Sequence, residues 1–283
     1  MNFIAVNDAM AQPAADRISS PLRTRVLSAL VLLPVVLGTL YLGGWGFALL
    51  LALAAVLMTG EWDRLTGGVG FGLLGLASAL GLLVILALAY FGHVGWALLA
   101  LLPAVLVLVA LSRLDGRSLI WPVLGLFWLG LPCLALLWLR MGDNGMFAVS
   151  WLFLAVWSCD TGAYFAGRRI GGPKLAPSVS PKKTWSGLLG GMFLAAAASA
   201  LLAIVVELRE TAHFAVLGAL LALISQCGDL AESALKRHFD VKDSGALIPG
   251  HGGILDRVDG VLFAAPALAL ATLVPTLGVL PWQ

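Results

Sequence analysis

From Leu27 to Gly60 the chain carries no Asp, Glu, Lys, Arg or His, and its one Gly-Gly pair, Gly43-Gly44, falls near the middle of that run. A bilayer crossing needs about 17–25 apolar residues, and Gly-Gly suits a tight turn, so the stretch reads as two crossings rather than one. Further apolar segments lie at 70–91, 95–111, 118–139, 146–166, 187–206, 212–230 and 258–279, beside 27–42 and 43–60 from the first run. Charged residues make up 11% of the 283 and apolar ones 60%. A soluble domain carries about 25% charged residues, so this chain could not cover a globule with them and its main solvent is lipid. The expected fold is all-α: a polytopic integral membrane protein with about nine transmembrane helices.

The placement of basic residues tests that count. With the N-terminus cytoplasmic, nine crossings gather Arg17, Arg23, Arg25, Arg64, Arg113, Arg117, Arg168, Arg169, Lys174, Lys182, Lys183, Lys236, Arg237, Lys242 and Arg257 on the cytoplasmic side. Only Arg140 and Arg209 fall on the other, the asymmetry of the positive-inside rule. Several Trp residues sit near span ends, where an interfacial aromatic belt accounts for them. Cys133, Cys159 and Cys227 have neither CxxC nor Cys/His spacing and read as small packed side chains. The four histidines show no HxxxH pattern, which argues against zinc. The net charge of +2 is small, and no nucleic-acid partner is expected.

Polarity is unevenly spread. Residues 1–150 read as N-terminal membrane scaffold helices, with polar material confined to short turns. Residues 151–283 read as a catalytic membrane region with two longer cytoplasmic connections, 167–186 and 231–257. A transporter would more often place its polar breaks near the bilayer midplane in both halves. Polarity gathered on one face favours chemistry at the membrane surface.

Three stretches carry that polarity. In WSCDTGAYFAGRRIGG, Asp160 lies inside a span, with Tyr164 at i+4 on the same face. The residues alone leave open a polar cavity or a packing hydrogen bond, and Gly162, Ala163, Ala166 and Gly167 would let a helix approach closely. PKLAPSVSPKKTWSG cannot be a continuous helix. Its lysines and hydroxyls suit phosphate oxygens, and equally suit an ordinary basic loop; the GxxxxGK[ST] pattern is missing. In QCGDLAESALKRHFDVKDSGALIPGHGGILDRVDG, Asp229 with Glu232 and Asp256 with Asp259 are i,i+3 pairs that antiparallel spans would bring to one membrane level. Acids so gathered repel unless cations are present, and Lys236, Arg237, Lys242 and Arg257 surround them. Carboxylates for metal and basic groups for phosphate is the division that phosphoryl and nucleotidyl transfer needs.

The run SALKRHFDVKDSGALIPGHGGILDRVD, Ser233 to Asp259, closely resembles the signature of the phosphatidate cytidylyltransferase (CDP-diacylglycerol synthase) family. Asp160-Thr161-Gly162-Ala163-Tyr164, Lys174-Leu175-Ala176-Pro177, Ser180-Pro181-Lys182-Lys183-Thr184-Trp185 and the early Glu61-Trp62 pair resemble its other blocks. Cys159 and Gln226-Cys227 depart from the expected neighbours while leaving the acids intact.

The resemblance implies that CTP and phosphatidate give CDP-diacylglycerol and pyrophosphate, with Mg²⁺. It implies a catalytic set of Asp160, Asp229, Lys236, Asp256 and Arg257, and metal binding by Asp229 and Asp256, then Asp160 and Asp259. Substrate contacts are expected from Ser180, Lys182, Lys183, Thr184, Arg237 and Lys242, and from the turn formed by Gly250, His251, Gly252 and Gly253. The implied setting is a bacterial inner (plasma) membrane with N-terminus and site facing the cytoplasm, membrane lipid as partner, and a homodimer. A CDP-alcohol phosphotransferase would carry DGxxAR, which is missing; a transporter using Asp160 as an ion site is the reading from another class.

Overall fold

The computed structural model describes residues 14–248 and 252–274. Ten helices follow in order: α1 Ala14–Leu42, α2 Gly44–Leu65, α3 Leu73–Tyr90, α4 Val94–Leu99, α5 Leu101–Leu114, α6 Ile120–Met141, α7 Gly145–Arg169, α8 Trp185–Val205, α9 Thr211–His238 and α10 Leu255–Thr272. The only regular strands among the described residues, β1 Lys174–Ala176 and β2 Ser180–Thr184, lie between α7 and α8.

Seven helical stretches are long and apolar enough to cross a membrane: Gly44–Leu65, Leu73–Tyr90, Val94–Leu114, Ile120–Met141, Gly145–Arg169, Trp185–Val205 and Thr211–His238. The expectation of a polytopic all-α membrane fold is met, while of the about nine crossings expected seven are candidates by length and composition among the described residues. The other two expected spans are not among those seven. Leu27–Leu42 is a shorter apolar stretch at the end of α1, and α10 opens with Asp256, Arg257 and Asp259. The expected end of the last span, 275–279, lies outside the described residues.

Local chemistry explains the breaks. Gly43 and Gly44 adopt φ of 62° and 51°, the left-handed region that a side chain disfavours. A Cβ on Gly43 would also run into the Arg140 guanidinium, whose Nε donates to the Leu40 carbonyl at 2.8 Å and closes the end of α1. The expected span at 95–111 is divided at Ala100 into α4 and α5. Pro103 has no N–H to return to the carbonyl of Leu99, so the helix is weakened at that turn.

Helix α6 is the central element, packed against α2, α3 and α5 and also against α7 and α10. Helices α7, α8 and α9 pack in succession, and α10 lies on α9. The glycine- and alanine-rich face of α7 meets α8, as its small residues predict: a Cβ on Gly162 would lie 2.5 Å from the Gly190 carbonyl oxygen. Trp151 Nε1 donates to Ser199 Oγ at 2.9 Å within the same interface. Outward, Leu53, Leu80, Leu106, Phe193 and Leu201 are exposed, a belt that lipid rather than water would cover.

The basic connection within 167–186 is, as expected, not a continuous helix. It holds an antiparallel hairpin, with Lys174 opposite Thr184 and Ala176 opposite Ser180. Pro181 is tolerated because a two-stranded ribbon has only edge strands.

Candidate active site

Side chains on α9 begin the site. Asp229, Glu232, Ser233 and Lys236 are spaced i, i+3, i+4 and i+7, so a helix places them on one face. Ser233 Oγ donates to Asp229 Oδ1 at 3.3 Å. Lys236 Nζ reaches Glu232 Oε1 at 3.1 Å and Asp256 Oδ1 at 2.6 Å, joining the end of α9 to the start of α10. The two i,i+3 acid pairs therefore do stand at one level, as their spacing suggests. Glu232 is more deeply buried than Asp256, and Lys236 is the cation that meets it.

Asp256 is held from several directions. Its Oδ2 accepts from Ser244 N, Ser244 Oγ and Gly253 N, each at 2.9 Å. Burial pushes its carboxyl up, but the Lys236 hydrogen bond, the Gly253 and Ser244 amides and the Lys236 charge outweigh that and hold it below the usual carboxylate range. Oδ2 is saturated, and Oδ1 is the oxygen with room for a further contact.

The hairpin supplies the next cation. Successive strand residues point to opposite faces, so Lys182 and Lys183 diverge. Lys183 Nζ lies 2.6 Å from Asp229 Oδ2, whereas Lys182 is exposed. Arg237 donates from Nε to the Val179 carbonyl at 3.4 Å, a second link between hairpin and α9. Ser180 begins β2 and is half-buried. Thr184 is buried at the N-cap of α8: its Oγ1 accepts from Gly187 N at 3.1 Å and pairs with Ser186 Oγ at 3.0 Å.

On α7, Asp160 lies near enough to Asp229, Lys183 and Arg257 for their charges to act on it, and Gln226 Nε2 donates to its Oδ1 at 3.4 Å. Asp259, one turn into α10, feels Asp229 and Asp160 and accepts from Gly260 N at 2.7 Å. Close backbone packing sets that position, since a Cβ on Gly228 would lie 2.6 Å from the Asp259 carbonyl oxygen. Arg257 and Lys242 are exposed at the rim.

Within the expected turn, Gly252 has φ of 84°, which favours glycine, and its carbonyl accepts from Ile248 N at 2.9 Å. The Gly253 N–H is committed to Asp256. Gly250 and His251 lie outside the described residues. The structure thus brings together Asp160, Lys183, Asp229, Lys236, Asp256 and Asp259, with Arg257 beside them. Thr184 is set into a helix cap, and Lys182 and Lys242 point outward.

Four participants were not among the expected site residues. Ser244 and Gln226 carry no charge signal, Glu232 had a visible spacing partner in Asp229, and Glu61 stood far upstream. Glu61 Oε1 and Oε2 accept from Ile254 N and Leu255 N at 2.9 and 3.0 Å across more than 190 residues of chain.

A helical membrane bundle that gathers lysines and carboxylates at one end of its helices defines a membrane enzyme equipped to handle phosphorylated substrates. The chain belongs to the cytidylyltransferase family, whose family model matches residues 23–274. It is 43% identical over 258 residues to the phosphatidate cytidylyltransferase of Brucella suis biovar 1 (strain 1330), covering 89% of this chain and 93% of that protein. The enzyme of the same name from Rickettsia felis is 39% identical over 158 residues, covering 53% of this chain and 70% of that one. That of Bacillus subtilis (strain 168) is 44% identical over 130 residues, 46% of this chain and 48% of its own.

Proposed function

We propose that this protein transfers the cytidylyl group of CTP to phosphatidate, releasing pyrophosphate and forming CDP-diacylglycerol for phospholipid synthesis. The similarity to a phosphatidate cytidylyltransferase along nearly the whole of both chains carries the reading. The cluster of Lys183, Lys236 and four carboxylates supports it chemically.

Phosphatidate is ionised near neutral pH, so its phosphate oxygen attacks the α-phosphorus of CTP without a general base while pyrophosphate leaves. The protein's task is to bring two polyanions together and stabilise charge that shifts to the leaving group. Lys183 and Lys236, with Arg257 at the rim, balance the phosphates. Asp229 and Asp256 hold those lysines extended. Thr184 supports β2 as a cap, and Ser180, Lys182, Arg237 and Lys242 provide a basic approach from the aqueous side.

Mg²⁺ fits this donor set. Among the described residues no three ligating side chains converge. Mg²⁺ seldom uses an all-protein cage, binding instead through one or two carboxylates completed by substrate phosphates and water. Asp229 and the free side of Asp256 Oδ1, with Asp160 and Asp259 nearby, would offer such an ion one or two hard oxygen ligands at a time. When bound, the ion supplies charge neutralisation on the triphosphate.

The charge distribution supports nine crossings, α10 entering lipid from Val258, with N-terminus and site cytoplasmic, and the bacterial relatives support an inner membrane as the setting. Purified protein with Mg²⁺ and phosphatidate should release pyrophosphate from CTP or dCTP and much less from ATP or GTP. Equal turnover of ATP would overturn the cytidylyl assignment.

A further inference from the structure

Glu61, near the end of α2, is only 3% exposed. Among the described residues no Lys or Arg forms an ion pair with it. Its charge faces the first turn of α10 instead: Oε1 accepts from Ile254 N and Oε2 from Leu255 N. The opening amides of a helix have no intrahelical partner and carry the positive end of its dipole, so a carboxylate there is stabilised. Two glycines make room for it. A Cβ on Gly245 would lie 3.0 Å from Oε1, and one on Gly253 would lie 2.7 Å from Oε2.

Asp256 grips the same turn from the other side through Gly253 N. Three consecutive amides, Gly253, Ile254 and Leu255, are thus taken by two carboxylates that come from opposite halves of the chain. Glu61 occupies the two amides nearest Asp256 and leaves Asp256 Oδ1 free to hold Lys236.

We propose that Glu61 is a positioning residue for the transfer reaction. It fixes the first turn of α10 so that Asp256 and Lys236 present one geometry to the substrates, and it touches no substrate itself. The inference rests on the reading that places Asp256 in the reaction site.

The test uses the full-length protein in detergent, with Glu61→Gln, Glu61→Asp, Asp256→Asn and, as a stability control, Trp62→Phe. Trp62→Phe removes the 2.8 Å bond from Trp62 Nε1 to the Trp121 carbonyl and leaves the α10 turn alone. Turnover, the Mg²⁺ concentration giving half-maximal rate and deuterium uptake of the peptide spanning 252–258 are read, with the melting temperature beside them.

In Glu61→Gln one backbone N–H faces an amide N–H instead of a charged oxygen. Loss of one hydrogen bond to a charged group corresponds to a turnover roughly 10- to 100-fold lower. The Mg²⁺ midpoint should rise several-fold and uptake at 252–258 should quicken. Glu61→Asp keeps the charge and should recover part of all three; it carries the test if Glu61→Gln does not fold. Trp62→Phe should lower the melting temperature without moving the Mg²⁺ midpoint or that uptake.

A Glu61→Gln protein that is merely less stable, with normal midpoint and uptake, would reduce Glu61 to a packing role. Wild-type behaviour of Glu61→Gln beside an inactive Asp256→Asn would refute the positioning role alone. A fully active Asp256→Asn would remove the site reading and this inference with it.

Discussion

Lys183 Nζ and Asp229 Oδ2 stand 2.6 Å apart, and this pair joins the β1–β2 hairpin to α9. Both side chains remain partly exposed, so the pair contributes little to stability, about 0–1 kcal/mol for a contact of this kind. Its consequence is directional. It selects Lys183 over its neighbour Lys182 as the hairpin lysine that reaches the acids.

Replacing either lysine by Met separates the two. Lys183→Met should lose about 10²–10³ in turnover, the scale for removing one electrostatic contact to a transition state. Lys182→Met, on the exposed face, should change stability by no more than about 0.5 kcal/mol and leave most activity. Steady-state pyrophosphate release measures both, and equal losses would dismiss the division between them.

Asp256→Asn should likewise reduce turnover by about 10²–10³. It also loses a charged acceptor for three donors at 2.9 Å, so the hold on Ser244 and Gly253 should loosen. Because the folded carboxyl titrates below its unfolded value of about 3.9, its stabilisation is fully present above that pH and is lost as pH falls through the folded value. Wild type should therefore lose more stability than Asp256→Asn between about pH 4 and the folded value, measured by thermal melts in detergent. Parallel melting curves for the two proteins would contradict this account.

Thr184 distinguishes a cap from a phosphate ligand. Thr184→Ala should destabilise the protein by about 1 kcal/mol, as lost N-caps do, while Thr184→Ser should be close to wild type. Turnover per folded molecule should stay within about threefold for both, because 1.4 kcal/mol is needed for a tenfold change. A large rise in KM for CTP in Thr184→Ala alone would restore it as a substrate contact.

Topology is open to labelling. In a variant whose Cys133, Cys159 and Cys227 are replaced, a cysteine beside Glu210 should react with an impermeant reagent outside intact cells. A cysteine beside Lys182 should react only after the membrane is opened. Reaction of both from the same side would reject the proposed orientation.

Much of the architecture was legible because it depends on local composition. Long uncharged runs dictate membrane helices, Gly43-Gly44 marks a turn, and the small residues Gly162, Ala163, Ala166 and Gly167 mark a face where another helix can sit. The i,i+3 spacing of Asp229 with Glu232 and of Asp256 with Asp259 also survives folding, because a helix converts sequence spacing directly into a shared face. The signature from Ser233 to Asp259 is continuous along the chain and marks the family without reference to the fold.

What only the tertiary structure decided are relations between residues distant in the chain. Lys182 and Lys183 are equivalent as letters; hairpin pairing with its two-residue alternation sends one to Asp229 and the other outward. Glu61 sits in the half read as scaffold, and no local pattern could have matched it to two amides beyond residue 250. The physical reason is common to both: periodicity determines which face a side chain occupies, whereas its partner is settled only when separate elements pack and every buried carboxylate must find donors.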